Sequence, residues 1–399
     1  MNILQICHKP PYPAVDGGCI AIKNISEGLI KESCNLKILT ISTVKHPFNL
    51  NYFSKEFIEK TNIESVFVDT KLNIVDAFSN LVTYDSYNIS RFFSPDFNTL
   101  LIKTIKKNKF DVVLLESLFT TPYIETIKNH CKTKIILRSH NLEHIIWRRL
   151  AKETSNPAKK IYLNLLSNQL KSYEIEILSK LDGVAAISNE DERKYTNFYQ
   201  GTKIVTIPFG IDVYKYKFNV LSNNKKIKFF HLGAMDWKPN LEAVGWLLKE
   251  IWPEILRYNS KSELHLAGKN MPKWLIDKKD KNVFNHGDVS DAKEFMQKYD
   301  VMLVPILSAG GIRVKIIEGM ALGKTIISTK IGAEGLSYIN NENILIANNP
   351  EDFGKISEKI FNKKDELIRI GENARRHVLE KYDQSNISKK LISFFESFL

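Results

Sequence analysis

A glycine pair followed by three charged side chains is the part of this sequence best suited to chemistry. Gly310 and Gly311 precede Arg313, Lys315 and Glu318. A glycine pair lets the backbone turn and lets a ligand approach, and the amides that open a helix attract an anion. Two cations favour a phosphate leaving group, and a carboxylate accepts hydrogen bonds from a vicinal diol such as ribose. The pattern indicates a nucleoside diphosphate site.

A strand, a loop and a helix must position these residues. The apolar run 300–305 predicts a buried parallel strand, and 325–329 predicts a second one, so the charged segment between them reads as a glycine loop and a helix. The alternative is an ordinary strand-to-helix turn with charges on its surface, because a lone glycine loop is a weak signal.

A longer motif distinguishes the two alternatives. Residues 311 to 336 read Gly-Ile-Arg-Val-Lys-Ile-Ile-Glu-Gly-Met-Ala-Leu-Gly-Lys-Thr-Ile-Ile-Ser-Thr-Lys-Ile-Gly-Ala-Glu-Gly-Leu. This stretch resembles the donor-binding signature of the family 4 retaining glycosyltransferases, which have the GT-B fold. The resemblance implies an α/β protein of two doubly wound, Rossmann-like parallel-sheet domains that face an interdomain cleft, with the C-terminal helix crossing back to the first domain.

The resemblance also implies roles for individual residues. Glu318 would hold the ribose, and the donor diphosphate would be held by Gly310, Gly311, Ile312, Arg313 and Lys315. The family usually has a second glutamate, which would fall at position 310, and many members have an arginine where Ala234 stands here. We expect Arg313 to make the compensating contact, and Lys238 to be the remaining cation that grips the diphosphate.

Two further segments match the family pattern in the loops that follow predicted strands. The first is a glycine pair, Gly17 and Gly18, between a predicted strand over 2–7 and a helix from about Cys19. The resemblance implies that these glycines face the donor phosphates across the cleft. The alternative is a merely structural turn. The second is the end of a predicted strand over 283–287 and the residues after it. There the resemblance implies that the nucleotide base packs on His286, Gly287 and Val289 through backbone contacts.

His140 ends another predicted strand, which begins at Lys134. A lone histidine is more often structural than catalytic. Here, however, the line Ser-His-Asn-Leu-Glu-His-Ile-Ile-Trp-Arg-Arg-Leu-Ala from Ser139 resembles the acceptor-domain pattern of the family. In that pattern a histidine at this position contacts the transferred sugar, so we include His140 among the catalytic candidates with Arg313 and Lys238.

Length and hydropathy predict the organisation of the chain. A chain of 399 residues is too long for one core. We predict an acceptor-binding domain over 1–207, a donor-binding domain over 208–382 and a final helix over 383–399 that packs on the first domain. No apolar stretch approaches the roughly 20 residues of a membrane span, and the N-terminus starts as a strand without a basic leader, which predicts a cytoplasmic protein.

Charge and cysteine content limit the partners. The net charge is +12, and residues 101–150 hold ten Lys or Arg against four Asp or Glu. This basic face would meet an anionic membrane surface or a phosphate-bearing acceptor, or it only keeps the protein soluble; nucleic acid is disfavoured because no binding motif accompanies the charge. The four cysteines form no Cys-x-x-Cys pair, and no Asp-x-Asp triplet is present, so we expect reduced thiols and no catalytic metal.

These observations predict a retaining glycosyltransferase for surface polysaccharide synthesis. Its donor substrate would be a UDP- or GDP-linked sugar, with no separate cofactor, and its acceptor a glycan or lipid-linked glycan. The protein would be cytoplasmic, with peripheral contact on the inner face of the cell membrane. Two alternatives stay open because the first family glutamate is missing: a catalytically silent GT-B subunit that binds a sugar nucleotide or a partner enzyme, and a sugar-nucleotide epimerase of the same fold.

Overall fold

The chain folds into two units, each built on one parallel β-sheet. The structure, a computed structural model, describes residues 1–70, 87–218, 227–308 and 311–399, so Gly310 lies outside the described residues. Residues 1–210 and 384–399 form the first unit, and residues 211–383 form the second. The chain passes from one to the other at 210, three residues beyond the predicted end of the first domain.

The first sheet has seven parallel strands in the order β3-β2-β1-β4-β5-β6-β7 among the described residues. Its strands are short apolar runs, and every residue of β4 is buried, as expected of a parallel sheet with both faces covered. Leu4 and Ile6 point into one apolar cluster, while Ile3 and Cys7 point into the other. The strands are β1 Asn2–Cys7, β2 Asn35–Ser42, β3 Glu64–Phe67, β4 Val112–Glu116, β5 Lys134–Ser139, β6 Gly183–Ala186 and β7 Lys203–Thr206.

Helices cover both faces of this sheet, and several begin at a side-chain cap. The hydroxyl oxygen of Ser188 accepts a hydrogen bond from the amide of Asp191, so Ser188 caps the helix Asn189–Phe198. The helix predicted from Cys19 begins two residues earlier, at Gly17. The helices of the first unit are Gly17–Lys31, Lys55–Thr61, Tyr87–Ser90, Pro95–Lys107, Ile124–His130, Glu143–Glu153, Pro157–Leu178, Asn189–Phe198 and Gln384–Glu396.

The last helix, Gln384–Glu396, lies in the first unit although the second unit precedes it in the chain. Ile387, Leu391 and Phe395 are buried in the apolar cluster on one face of the first sheet. At its first turn, the Ser385 hydroxyl donates to a carboxylate oxygen of Glu32 at 2.8 Å. Apolar burial therefore fixes this helix, and polar contacts fix its beginning.

The second sheet has six parallel strands in the order β10-β9-β8-β11-β12-β13 within the described ranges. A second apolar cluster fills the space between this sheet and its helices. The strands are β8 Lys228–Leu232, β9 Glu263–Ala267, β10 Val283–Asn285, β11 Val301–Val304, β12 Thr325–Ser328 and β13 Leu345–Ile346. The helices are Lys238–Trp246, which continues through a π-helical turn at Leu247–Ile251 into Trp252–Tyr258, and Lys273–Ile276, Ala292–Gln297, Val314–Ala321, Pro350–Asn362 and Lys364–Lys381.

Strand order reverses once in each sheet. In the first unit β1, β2 and β3 are added in sequence toward one edge of the sheet, and β4 then pairs with the other side of β1. In the second unit β8, β9 and β10 follow the same order, and β11 pairs with the other side of β8. Loops that leave the two central strands run in opposite directions, and open α/β sheets bind ligands in the crevice that this creates. The crevices lie after β1 and β4 in one unit, and after β8 and β11 in the other. None of the helices in the described ranges has the length and hydrophobicity needed to span a bilayer.

A glycine at the end of β9 permits the close approach of two loops, and it generates the first prediction. A Cβ atom on Gly268, whose φ is +158°, would lie 1.7 Å from the carbonyl oxygen of Gly233. We expect Gly268→Ala to lower the free energy of unfolding by about 3 kcal/mol, because neither backbone segment can move aside. Gly245, inside the helix Lys238–Trp246, has open space around the same position. Gly245→Ala should instead stabilise by about 0.5 to 1 kcal/mol. Equilibrium urea denaturation measures both, and equal effects would contradict this packing.

Candidate functional site

The crevice of the first unit is built on a fully buried carboxylate. Glu116, the last residue of β4, accepts a hydrogen bond at Oε1 from Gln5 Nε2 at 2.8 Å. Its Oε2 accepts from Arg138 Nη1 at 2.9 Å and lies 2.7 Å from His140 Nε2. The side chains of Glu116 and Arg138 have no exposed area, and that of His140 is 11% exposed. The sequence-predicted His140 therefore lies at the end of its strand, held by a carboxylate from the neighbouring strand.

The charges of this cluster define the tautomer of His140. Burial by itself would raise the pKa of Glu116, but the Arg138 charge and the His140 hydrogen bond outweigh it and lower that pKa to about 2. Burial also lowers the pKa of His140, so its ring is neutral at physiological pH. An ionised carboxylate only accepts hydrogen bonds, so His140 must donate from Nε2. Its Nδ1 is then a lone pair able to accept a hydrogen bond from a hydroxyl.

The second glycine pair opens the helix Gly17–Lys31 beside an ion pair. Asp16 caps the helix, and Lys9 Nζ donates to both of its carboxylate oxygens, at 2.8 and 3.0 Å. A Cβ atom on Gly18 would lie 2.5 Å from that ammonium nitrogen. Gly18 therefore makes room for a cation at the helix start. The predicted contact of Gly17 and Gly18 with donor phosphates stays a prediction.

Three possible metal ligands lie close together near the start of this helix. The ligand atoms of Asp16, Cys19 and His46 all lie within 4.8 Å of one another. Both oxygens of Asp16 already accept hydrogen bonds from Lys9, however. A metal ion would have to share this carboxylate with an ammonium group, and the two cations would repel each other.

The crevice of the second unit is built on two cations instead, the buried Arg313 and the partly buried Lys315. Lys315, in the first turn of the helix Val314–Ala321, donates to the carbonyl oxygen of Leu232 at 2.8 Å and to Asn240 Oδ1 at 3.0 Å. Asn240 Nδ2 donates in turn to the carbonyl oxygen of Ala234 at 2.9 Å. These bonds connect the helix after β11 to the loop after β8. Asn240 therefore connects Lys315 to Ala234, the position where many family members have an arginine.

Arg313 precedes the same helix and is 6% exposed. Its guanidinium carbon lies 5.6 Å from the centroid of the Trp237 ring, and its Nη1 donates to the carbonyl oxygen of Gly311. Gly311 has φ +77°, a left-handed conformation that favours glycine, and Ile312 connects the two. Burial and the Arg313 charge lower the pKa of Lys315 to about 7. Two cations side by side thus create a place where an anion is favourable.

The remaining predicted residues of the second unit have different surroundings. Glu318 accepts a hydrogen bond at Oε1 from the hydroxyl of Tyr216 at 2.7 Å, and burial raises the pKa of its carboxyl group. The Lys238 side chain is 72% exposed and forms an ion pair with Glu242 at 3.3 Å. The structure therefore places Glu318 in a partly buried position, and Lys238 on the surface at the start of its helix.

The segment predicted to meet the nucleotide base follows β10. Gly287 accepts a backbone hydrogen bond from Gly268 at 2.8 Å, which connects this loop to the end of β9. The ring of His286 is already engaged, because its Nε2 lies 3.0 Å from His265 Nδ1. Base contacts would therefore have to come from the backbone of His286, Gly287 and Val289, and they stay a prediction.

Comparisons with known proteins concern the fold of the chain and part of its second unit. Residues 226–363 match the family described as glycosyl transferases group 1. HepE of Anabaena, solved with UDP and glucose, has a TM-score of 0.64 and 12% identity, with 99% of each chain covered. Sucrose-phosphate synthase of Thermosynechococcus elongatus has a TM-score of 0.69 and 15% identity, covering 100% of this chain and 99% of its own.

The chain has the GT-B fold, and part of its second unit is similar to the group 1 glycosyltransferases. The predicted fold class is thereby confirmed. Two sequence relatives add to the comparison. A Klebsiella pneumoniae protein described as an uncharacterized 44.6 kDa protein in the cps region is 25% identical over 98% of both chains. An uncharacterized glycosyltransferase of Methanocaldococcus jannaschii is 33% identical over 21% of this chain and 24% of its own.

Several residues of this GT-B protein's crevices were missed by sequence reasoning. Glu116 and Arg138 lie inside apolar runs of the sequence, and a charged residue inside such a run signals a buried partner. Asn240 and Tyr216 gave no signal, because each acts on a residue that is distant in sequence.

The buried carboxylate of the first unit gives the second prediction. Glu116→Gln should lower the free energy of unfolding by about 3 to 5 kcal/mol at neutral pH, because it leaves Arg138 buried without its counter-charge. Because the pKa of Glu116 is lowered to about 2, its contribution is present above its ordinary value of 4.5 and is lost as the pH falls toward 2. The variant and the native protein should therefore converge in stability on acidification.

Urea denaturation at neutral and at acidic pH measures this convergence. The matched control is Glu125→Gln, which removes an exposed carboxylate paired with Lys180 at 3.3 Å. It should change stability by less than about 1 kcal/mol. A Glu116→Gln variant as stable as this control would contradict the assigned ion pair.

Proposed function

We propose that this protein is a retaining glycosyltransferase that moves a sugar from a UDP- or GDP-linked donor to a glycan or lipid-linked glycan. The observation that carries the proposal is the group 1 glycosyltransferase match over residues 226–363, which includes the cation-lined crevice of the second unit. HepE, which has the same fold, was solved with UDP and glucose, and this supports a nucleotide-sugar donor. The donor is a substrate, and no separate cofactor is proposed.

The second unit would bind the donor. A diphosphate would meet the start of the helix Val314–Ala321, which has no side-chain cap among the described residues, and the positive charges of Arg313 and Lys315. Glu318 would accept hydrogen bonds from the ribose hydroxyls. Charge that develops on the leaving phosphate would then be stabilised by groups already in place.

The first unit would contact the transferred sugar through His140. Its Nε2 donates to Glu116, so Nδ1 is an acceptor held in a fixed direction for a sugar hydroxyl. In the retaining reaction that we propose, the bond between the anomeric carbon and the phosphate oxygen breaks. The acceptor oxygen bonds on the same face of the sugar, and its proton passes to the leaving phosphate. This route needs no protein nucleophile.

A role in surface polysaccharide synthesis has one support, the Klebsiella relative in the cps region. Two other functions follow from the missing glutamate and arginine of the family signature. A silent GT-B subunit would bind a sugar nucleotide without turning it over. A sugar-nucleotide epimerase would convert the donor without any acceptor.

The third prediction tests donor binding. UDP- and GDP-sugars should bind, and a bound diphosphate should raise the lowered pKa of Lys315. Binding near pH 7 should therefore take up a proton, and affinity should fall as the pH rises through this range. Titration calorimetry in buffers of different ionisation enthalpy measures the uptake. Lys315→Met should remove the uptake and weaken binding by roughly tenfold or more, for the loss of a charged hydrogen bond.

Lys324→Met is the matched control, because Lys324 is buried and its pKa is lowered to about 8, but it precedes β12 and so lies at the amino end of the sheet, opposite the end that carries Lys315. It should leave donor affinity and proton uptake unchanged.

Incubation with the donor alone separates the three functions: slow release of free sugar supports a transferase, a new sugar nucleotide an epimerase, and neither product a silent subunit. If no UDP- or GDP-sugar binds, the proposal is wrong.

Contact with an anionic membrane is the second part of the proposal, together with a cytoplasmic location. A groove of about 1270 Å³ lies at the amino ends of β1, β2, β3 and β4, the end of the sheet opposite His140. Five lysines line it. Two of them form ion pairs, Lys37 with Glu64 and Lys60 with Glu56. The other three have no ion pair within the described part of the chain: Lys103, Lys107 and Lys109. This groove has the charge expected for anionic head groups.

The fourth prediction concerns these three lysines. The triple change Lys103→Glu, Lys107→Glu and Lys109→Glu should reduce binding to vesicles that contain phosphatidylglycerol by roughly a hundredfold, at about 1 kcal/mol per lysine. Co-sedimentation measures this, with phosphatidylcholine vesicles as the uncharged reference. The same charge change at Lys249, Lys273 and Lys279 of the second unit is the control. Equal loss of vesicle binding in both triple variants would mean that binding depends on the net charge of the protein and not on this groove.

A further inference from the structure

Glu318 is held by a tyrosine from a distant part of the chain. The hydroxyl of Tyr216 donates to Glu318 Oε1 at 2.7 Å, although the two residues are 102 positions apart. Tyr216 lies just after the crossing into the second unit, at the end of the turn Val213–Lys215, and is 6% exposed. A buried hydroxyl bonded to a carboxylate restricts the rotamers of that carboxylate.

Tyr216 is itself fixed on two sides. Arg375, in the helix Lys364–Lys381, donates from Nη1 to the carbonyl oxygen of Tyr216 at 2.8 Å, and also donates to the carbonyl oxygen of Ala321 at the end of the helix that carries Glu318. The ammonium of Lys293 lies 4.7 Å from the centroid of the Tyr216 ring. The hydroxyl therefore comes from a side chain that can hardly move relative to the helix Val314–Ala321.

We infer that Tyr216 is a positioning residue that orients the Glu318 carboxylate to receive both hydroxyls of a ribose. A carboxylate offers about four lone-pair positions, and Tyr216 occupies one of them on Oε1. The other oxygen and the remaining position on Oε1 stay available to a vicinal diol. The inference rests on the proposed function, because it gives the nucleotide's ribose as the ligand of Glu318.

The charges around Glu318 give this arrangement a pH dependence. Burial raises the pKa of Glu318, and the Tyr216 hydrogen bond and the Lys293 charge lower it, while the Asp291 charge raises it. Only the ionised carboxylate accepts from two hydroxyls, so ribose binding weakens as the pH falls through the pKa of Glu318. Loss of the Tyr216 hydroxyl raises this pKa, so the weakening must begin at a higher pH.

The experiment, and the fifth prediction, compares ribonucleotides with deoxyribonucleotides. UDP, GDP and their 2′-deoxy counterparts are titrated into the full chain by calorimetry, over a range of pH. The native protein should prefer the ribonucleotide. Tyr216→Phe keeps the ring and removes only the hydroxyl. It should lose about tenfold in ribonucleotide affinity, change deoxynucleotide affinity by less than about twofold, and shift the pH profile upward.

The matched control is Tyr382→Phe, which removes another buried hydroxyl of the second unit, one that accepts from the amide of Ser337 at 3.0 Å. It should keep the native preference and pH profile. A Tyr216→Phe variant with the native preference, or one indistinguishable from the control, overturns the inference. Nucleotide binding without ribose preference in the native protein overturns it as well. Absence of any nucleotide binding refutes the proposed function itself.

Discussion

The reversal of strand order at the middle of each parallel sheet is the constraint on which the rest of the structure depends. Strands β1 and β4, and likewise β8 and β11, lie side by side while their following loops diverge. Backbone amides, helix starts and polar side chains can reach a common space only there, because elsewhere a helix covers the sheet. Every candidate of the first unit, and most candidates of the second, lies on a loop or helix that leaves one of these central strands or their neighbours.

The two crevices differ in whether their charged side chains are balanced by partners within the protein. In the first unit Glu116 is surrounded by donors, so its charge is balanced inside the protein and serves to fix the His140 ring. In the second unit Lys315 and Arg313 lie together, and the pKa of Lys315 is lowered as a result. A balanced charge stabilises the fold, whereas two adjacent cations, one buried and one partly buried, keep an unfavourable energy that an anion relieves. This contrast favours the second unit as the one that binds phosphate.

The segment after the crossing at residue 210 connects Glu318 to the rest of the second unit. Tyr216 bonds to Glu318, Arg375 bonds to the backbone of Tyr216, and Phe218 packs where a side chain on Gly323 would lie. A short segment thus follows the helix Val314–Ala321 along its length. The position of a carboxylate proposed to bind ribose is therefore set by the entrance of the chain into this unit, and not by its own helix alone.

Sequence by itself predicted most of the elements and the candidate residues of the site. Apolar runs predicted the strands, and His140 was placed at the end of one of them. A glycine pair with Arg313, Lys315 and Glu318 predicted an anion and diol site. Such predictions are possible because the hydrophobic period of a strand or helix is set by neighbours in sequence. Only the tertiary structure decided what each group does there. The Glu116 partner of His140, the ammonium beneath Gly18, the exposure of Lys238 and the Tyr216 hydroxyl on Glu318 all come from residues that no local pattern connects. The crossover of strands brings them together, and the strength of a charge or hydrogen bond is set by that burial.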